Sequence, residues 1–360
     1  GMKTYNIIFK SKLLYIFFIF LSLNIFFFST ANSEGKAFEI NNIDISRPFE
    51  MNFDKNDVLD EGFDKAFSLL ISTITKSSDK KKLNQTKLNE IKSMVESFTI
   101  KEEKFINEMY YVNLGVSFNK KKIFNYLESK NIFPSIPIKK KFLFIPIIID
   151  ENKRDLLIFY NNRIFTDWNK NTENNFLIDY ILPEEDLEDL DIIKNKFETI
   201  EKYDFKEITR KYNLDNSIIA LIFKNKNKIR ILSRITSKED IILKNQSYDN
   251  IDITKENQAK DLINNLKNIY EDYWKNLNLI NTSIKLSLNI KIDNKDNQKI
   301  LNFERKLNEN DLVYDFFISK IDKDFTYFQV IFNGTPSIFL KTMKNDDFIF
   351  DTKRKFWILK

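Results

Sequence analysis

The stretch Met109–Phe118, MYYVNLGVSF, decides the fold, because its apolar side chains alternate with polar or small ones. A period of two is typical of a β-strand with one buried face. The preceding segment Phe98–Ile106 is predicted to pair with it as a hairpin. One face of the second arm would enter a core, and the other would carry Tyr111, Asn113, Gly115 and Ser117. The inward residues are Tyr110, Val112, Leu114, Val116 and Phe118.

The segments around this hairpin predict a first α+β unit over residues 34–141. A strand is expected at Ala37–Ser46, and a helix follows Asn56, with apolar residues at helical spacing. A short helix around Lys87–Ser97 precedes the hairpin, and another helix follows Asn119. This order is that of a split βαβ (ferredoxin-like) unit. The apolar run 142–149 either closes this unit or opens the next.

The rest of the chain predicts two further units. A second α/β unit covers 142–236, and it ends in two strands joined by the turn residues 224–227. The polar segment 237–254 is predicted to be a linker. Residues 255–360 are predicted to hold a long helix, Lys255–Leu277, and a final βαββαβ unit that ends in a strand at Phe348–Leu359. The expected class is therefore α+β, with about three small units.

Composition excludes several kinds of chemistry. The 360 residues include no Cys and no His, so disulfides, haem and iron–sulfur centres, Ser-His-Asp hydrolases and the usual zinc sites are excluded. Five glycines leave no GxGxxG or phosphate-binding loop. Outside the first 33 residues the chain is nearly neutral, which does not favour nucleic-acid binding. We therefore expect no cofactor, no metal and no nucleic acid.

The first 33 residues have the order of a secretory signal peptide. Gly1 precedes Met2 and is interpreted as an addition to the natural start. Lys3, Lys10 and Lys12 form a basic region, an apolar run covers 13–28, and small residues follow. Cleavage is expected after Ala31 or Ser33, with export to the periplasm. The alternative is an inner-membrane anchor formed by an uncleaved 13–28, which would be the chain's only contact with the membrane.

Two clusters are the candidate sites. Asn162–Trp168 brings Arg163, Asp167 and Trp168 close together after a strand, as a ligand or partner surface would. The alternative is a Trp packed at the start of a helix. The acidic run 183–191 offers Asp186, Glu188 and Asp189 for general acid–base work or Ca²⁺ binding. A helix start is the stronger interpretation, because Pro183 and the acids that follow complement a helix dipole.

Several short motifs occur in an order that resembles the bacterial domain of unknown function 2066 family. They are MVESFTI at 94–100, YVNLGVSF at 111–118, FLFIP at 142–146, LLIF at 156–159, Asn162 with Phe165 and Trp168, and PEEDLEDL at 183–190. Phe165 stands where the family has a first Trp, and Glu185 where it has a Gly. The resemblance implies an exported envelope protein without established activity. It also implies a middle unit similar to the amino-terminal domain of TolB.

These observations lead to one functional expectation and two alternatives. We expect a non-enzymatic periplasmic accessory or assembly factor that binds another envelope protein, because the chain carries an export signal but no catalytic constellation. One alternative is a hydrolase of envelope glycans that uses the carboxylates of the acidic run. The other is a module that binds peptidoglycan or the membrane surface, which would need an exposed aromatic or basic groove.

Overall fold

The computed structural model describes residues 38–170, 176–238 and 240–360. Helices and strands mix throughout, and the strands form three separate sheets, each with helices packed on it. The predicted α+β class with three small units is confirmed. The predicted leader, 1–33, lies outside the described residues. In the described ranges, no helix combines the length and the apolar character needed to span a membrane.

The first unit is built around the predicted hairpin. Its strand β3 lies between β1 and β2 and is antiparallel to both, so β1 and β2 are parallel, as a split βαβ unit requires. The elements are β1 (Glu39–Pro48), α1 (Lys55–Ile74), α2 (Ser77–Leu83), α3 (Leu88–Met94), β2 (Val95–Ile106), β3 (Met109–Phe118) and α4 (Lys120–Ser129).

The local signals of this unit explain its turns and caps. Both residues of the β2–β3 connection, Asn107 and Glu108, have positive φ, as a tight two-residue hairpin turn needs. Helix α1 begins two residues earlier than expected, because Asp54 rather than Asn56 is the N-cap and accepts the backbone N–H of Asn56. The predicted apolar stripe of α1 is buried against the sheet.

The middle unit contains a six-stranded sheet with a core on each face. Strand β4 pairs with β5 and β6 on one side and with β7 on the other, so the apolar run 142–149 opens this unit rather than closing the first. The elements are β4 (Lys140–Asp150), β5 (Asp155–Leu157), α5 (Arg163–Asp167), β6 (Ile178–Ile181), α6 (Leu187–Lys194), α7 (Lys206–Thr209), β7 (Asn216–Asn225), β8 (Lys228–Ser237), β9 (Asp240–Tyr248) and α8 (Glu256–Leu277).

Two expected boundaries of this unit are wrong. The segment 237–254 is not a linker, because half of it forms β9, which pairs antiparallel with β8 and ends the sheet. The long helix α8 does not belong to the last unit. Its apolar face, including Leu266 and Tyr270, packs on the middle sheet in the same core as Phe144 and Trp168. Residues 237–277 therefore complete the middle unit.

The last unit has the predicted βαββαβ order with a different end. Its strand order is β11-β12-β10-β14-β13, and the predicted final strand is two short ones, of which β14 lies parallel to β10 and β13 forms the edge. The elements are β10 (Leu286–Asp293), α9 (Asn297–Glu309), β11 (Val313–Ile321), β12 (Phe325–Phe332), α10 (Pro336–Asn345), β13 (Phe350–Asp351) and β14 (Trp357–Leu359).

The carboxyl-terminal end of α8 joins the middle unit to the first. Lys275 is buried, and its Nζ donates to the carbonyl of Ser72 at 2.5 Å. The indole N–H of Trp274 donates to the carbonyl of Ile138 at 2.7 Å. The last unit meets the first at α4, where Lys121 pairs with Asp315 at 2.8 Å. These contacts hold the middle and last units against the first.

Candidate functional site

The outer face of the first sheet carries a groove lined mainly by polar side chains. Helix α1 packs on the inner face, against Val112 and Leu114. Alternation along β3 therefore turns Tyr111 and Asn113 outward. There they line a groove of about 360 Å³. Its lining residues are Asp44, Ile45, Ser46, Glu102, Lys104, Tyr111, Val112 and Asn113.

Two rows of side chains cross the three strands in this groove. Asp44, Asn113 and Glu102 occupy the first row, because Asn113 is the register partner of both others. Ser46, Tyr111 and Lys104 form the second row in the same way. Within a row, neighbouring residues stand one strand spacing apart, about 4.8 Å. A ligand lying across the strands would meet an acid, an amide and an acid, or a hydroxyl, a ring and an ammonium group.

One hydrogen bond joins two residues of the first row, and one ion pair links the two rows. The amide Nδ2 of Asn113 donates to Oδ1 of Asp44 at 2.8 Å. The ammonium group of Lys104 lies 3.4 Å from a carboxylate oxygen of Glu102. Both interactions are exposed, so they are weak and can be exchanged for bonds to a ligand. The groove thus offers donors and acceptors of both charge signs around one exposed aromatic ring.

Gly115 of β3 lets two neighbouring side chains approach the backbone closely. An added Cβ would lie 2.8 Å from Oδ1 of Asn41 and 3.3 Å from Cε of Lys101. The ammonium group of Lys101 donates to that same Asn41 oxygen at 2.7 Å. Register irregularities in β1 and β2 bring these two side chains over the glycine. The bridge between them lies above Gly115, which is on the same face of β3 as Tyr111 and Asn113.

Beneath the groove, the inner face adds a perturbed group. Burial raises the pKa of Tyr110 to about 12, and the Glu103 carboxylate adds to the rise. Lys55 pairs with that carboxylate at 3.3 Å. These groups fix the end of the β2–β3 hairpin from below, and they take no part in the groove.

The first predicted cluster is structural at its centre. Trp168 is fully buried and stacks on Phe144, with ring centroids 3.9 Å apart. Its carbonyl accepts a 2.6 Å hydrogen bond from the buried Lys267 of α8. Trp168 follows the last residue of α5, so it ends the short helix instead of starting it. The neighbouring charges reach solvent, and Asp167 pairs with Arg163 at 3.9 Å and with Lys170 at 2.7 Å.

The acidic cluster lies at the start of helix α6, as the stronger interpretation of the sequence predicted. Asp186 is the N-cap of α6 and accepts backbone N–H groups of Glu188 and Asp189. Those two bonds and Lys211 lower the pKa of Asp186, with the bond from Glu188 contributing most. Asp189 is buried and pairs with Lys211 at 2.5 Å, whereas Glu188 is exposed. The carboxylates therefore cap and anchor a helix end.

The two predicted clusters lie on different sides of the middle sheet. Trp168 belongs to the core beneath α8, and Ile193 of α6 belongs to the opposite core. The structure thus does not bring the six predicted residues into one site. In the described ranges, no group of three or more acidic side chains is placed to hold a metal ion. The groove was not predicted from the sequence, although the polar side chains that alternate along β3 indicated an exposed polar face.

Glu271 is a buried acid of α8 whose hydrogen bonds are structural. Its carboxylate accepts the backbone N–H groups of Leu177 and Ile178, at 3.0 and 2.9 Å. These bonds fix the start of β6 against α8. Burial nonetheless raises the pKa of Glu271, because desolvation outweighs the two hydrogen bonds.

Comparison with known proteins adds no homology evidence, since no family model and no curated protein sequence matches the chain.

Proposed function

We propose that this protein is a non-enzymatic accessory or assembly factor of the cell envelope that binds another protein through its first sheet. The observation that carries the proposal is the strand β2, which forms one border of the groove. It is twelve residues long and pairs with β3 on one side only, as far as the described residues go. Its apolar side chains Phe98, Phe105 and Ile106 are 44, 58 and 48% exposed.

An exposed strand of this kind can bind an extended polypeptide. A partner strand beside β2 would satisfy the outward backbone groups, and side chains next to it would select the sequence. Glu102 and Lys104 project to the groove side of β2 and supply charges of both signs. Phe98 and Phe105 lie on the other side, where they pack edge-on or tilted against Phe63 and Tyr110. The site therefore favours an extended segment with mixed charge.

The location in the envelope rests on the leader sequence. The basic, apolar and small residues of 1–33 support export to the periplasm, with retention of 13–28 as an anchor as the alternative. The motif order described above supports membership of the domain of unknown function 2066 family. The absence of Cys is compatible with folding in an oxidising compartment, where no disulfide would form.

A glycan ligand is the second candidate, because Tyr111 exposes its ring within the polar groove. Aromatic rings pack against the apolar faces of sugar rings. The Asn113 amide can donate to and accept from sugar hydroxyl groups, and the Asp44 and Glu102 carboxylates can accept from them. This arrangement would suit a strand of peptidoglycan. It differs from a protein partner in needing the ring of Tyr111 and not the backbone of β2.

A photoreactive tyrosine analogue tests the proposal. We would place it at Tyr111 in living cells, with Tyr160, 80% exposed on the middle unit, as the matched control. We expect one discrete polypeptide adduct at position 111 that is absent at position 160. Its yield should fall when Glu102→Lys and Lys104→Glu are introduced together. A glycan adduct at position 111 would favour the second candidate, and identical products at both positions would contradict both.

A further inference from the structure

Strand β9 is an exposed sheet edge with an apolar centre. It is the last strand of the six-stranded sheet, and within the described ranges it pairs with β8 alone. Ile241, Ile242 and Leu243 are consecutive and are 61, 38 and 60% exposed. Edge strands are usually protected by charges, bulges or covering elements. Here the register with β8 runs without a break, so β9 is a regular, accessible pairing edge.

The sequence of this edge is complementary to itself. Asp240-Ile241-Ile242-Leu243-Lys244 reads acid, three aliphatic residues, base. If two copies pair antiparallel about a two-fold axis through Ile242, Asp240 of each copy faces Lys244 of the other. Ile241 then faces Leu243 of the other copy, twice. Opposite charges and aliphatic pairs placed directly across two strands are both stabilising.

The backbone of β9 allows this register. The pair Ser237 and Asp240 closes a connection of two residues, and such a closing pair is hydrogen-bonded. Because hydrogen-bonded and non-bonded pairs alternate, Ile241 and Leu243 direct their N–H and C=O groups away from β8. These are the residues that face each other in the two-fold register. Side chains also match, since residues an even number apart lie on the same face of the sheet.

We propose that a second copy of this chain binds along β9, antiparallel and centred on Ile242, and joins the two middle sheets into one continuous sheet. The contact is isologous, so it closes as a dimer and does not extend into a fibre. Because few residues take part, the dimer is expected to be weak, with a dissociation constant of micromolar order or above. This inference does not depend on what binds the groove.

A single cysteine tests the position of the two-fold axis. The chain has no Cys, so Ile242→Cys can form a disulfide only with its own copy. In a non-hydrogen-bonded pair the two Cα atoms lie about 4.5 Å apart, within the range of a disulfide. Leu243→Cys is the control, because the register would place its two Cα atoms about 8 Å apart, too far for a disulfide. We expect rapid dimer formation on mild oxidation at 242 and little at 243, and equal rates would overturn the register.

Charge reversal tests the pairing independently. With the protein as the cell makes it, analytical ultracentrifugation should show Asp240→Lys and Lys244→Asp each raising the dimer dissociation constant at least tenfold. In either variant two like charges meet across the axis. An equimolar mixture of the two variants should recover dimers, because lysines of one chain then face aspartates of the other. A wild-type protein that stays monomeric at millimolar concentration, or a mixture that fails to recover dimers, would overturn the proposal.

Discussion

Replacing Asp272 by alanine should loosen the contact between the first unit and α8. The carboxylate of Asp272 accepts the backbone N–H of Ser77 at 2.7 Å and also its hydroxyl. Ser77 is the first residue of α2, and its N-cap residue Lys76 makes no side-chain cap bond. Asp272 therefore caps α2 from a position 195 residues away in the chain.

The expected loss of unfolding free energy in Asp272→Ala follows from the energetics of helix capping. Loss of a capping side chain costs about 0.5–2 kcal/mol, and a charge near a helix N-terminus contributes about 0.3–1 kcal/mol. Since Asp272 is only partly buried, Asp272→Ala should lower the free energy of unfolding by about 1–2 kcal/mol. Asp272→Asn keeps an acceptor oxygen and should cost less than half as much. Asp261→Ala, on an exposed position of the same helix, should change it by less than about 0.5 kcal/mol.

Hydrogen exchange locates the effect, and urea denaturation measures it. Amides of 77–83 should exchange faster in Asp272→Ala, while those of β12 in the last unit should not change. If Ala and Asn cost the same, or if exchange in 77–83 is unaltered, Asp272 does not act as the cap and the reasoning is wrong.

Three further predictions concern single groups. Trp168→Ala should lower the free energy of unfolding by about 3–5 kcal/mol, because it empties a buried stack, whereas Tyr160→Ala should change it by less than about 0.5 kcal/mol in the same denaturation assay. Burial lowers the pKa of Lys267 from 10.5 to about 8. Between pH of about 8 and 10.5, the unfolded chain therefore keeps a proton on Lys267 that the folded protein has lost. Stability should rise with pH across that window, more in the wild type than in Lys267→Met. The backbone N–H of Phe325, then that of Asp324, lowers the pKa of Asp322 to about 2. The contribution of this turn should be present above the ordinary pKa of 3.8 and lost as pH falls through about 2; amide exchange at Phe325 should show that loss in the wild type but not in Asp322→Asn.

Strand β3 was predictable and strand β9 was not, because only β3 has a buried face. β3 alternates because one face is buried and the other is exposed, so its sequence carries a period of two. β9 has no buried residue along its length, and a strand without a buried face has no alternation to detect. Its polar end, Asn245-Gln246-Ser247, therefore indicated a linker. The strand forms because β8 supplies its hydrogen bonds, which is information from the neighbouring segment.

The place of α8 depended on contacts far apart in sequence. Its helical period is plain, but Lys267, Glu271 and Lys275 interrupt the apolar stripe at four-residue spacing. All three are buried because their partners, such as the carbonyls of Trp168 and Ser72, come from segments about 100 and 200 residues away. No local pattern reveals those partners, so the helix was placed in the wrong unit.

The surroundings of the candidate residues could not be predicted, for a related reason. Local composition singled out Trp168 and the acids of 186–189, and both clusters serve the architecture of the middle unit. The groove draws its residues from β1, β2 and β3, so no short segment contains it. The outward residues of β3 were predictable. That the face above them stays open follows from α1 packing on the other face, which only the assembled unit shows.

The two exposed edges differ in a way that separates self-association from partner binding. β2 has register irregularities and carries Lys101, Lys104 and three glutamates, features that oppose pairing between identical edges. β9 has an unbroken register and an aliphatic centre.

A dimer through β9 would leave both copies of the groove free, and it would make the protein bivalent. If so, Asp240→Lys should leave binding of one partner molecule in solution unchanged. The same variant should bind more weakly, by at least tenfold, to a surface that displays many copies of the partner, because linked sites gain avidity without new contacts. Equal loss in both assays would mean that β9 touches the partner itself, and the separation of the two edges would then be wrong.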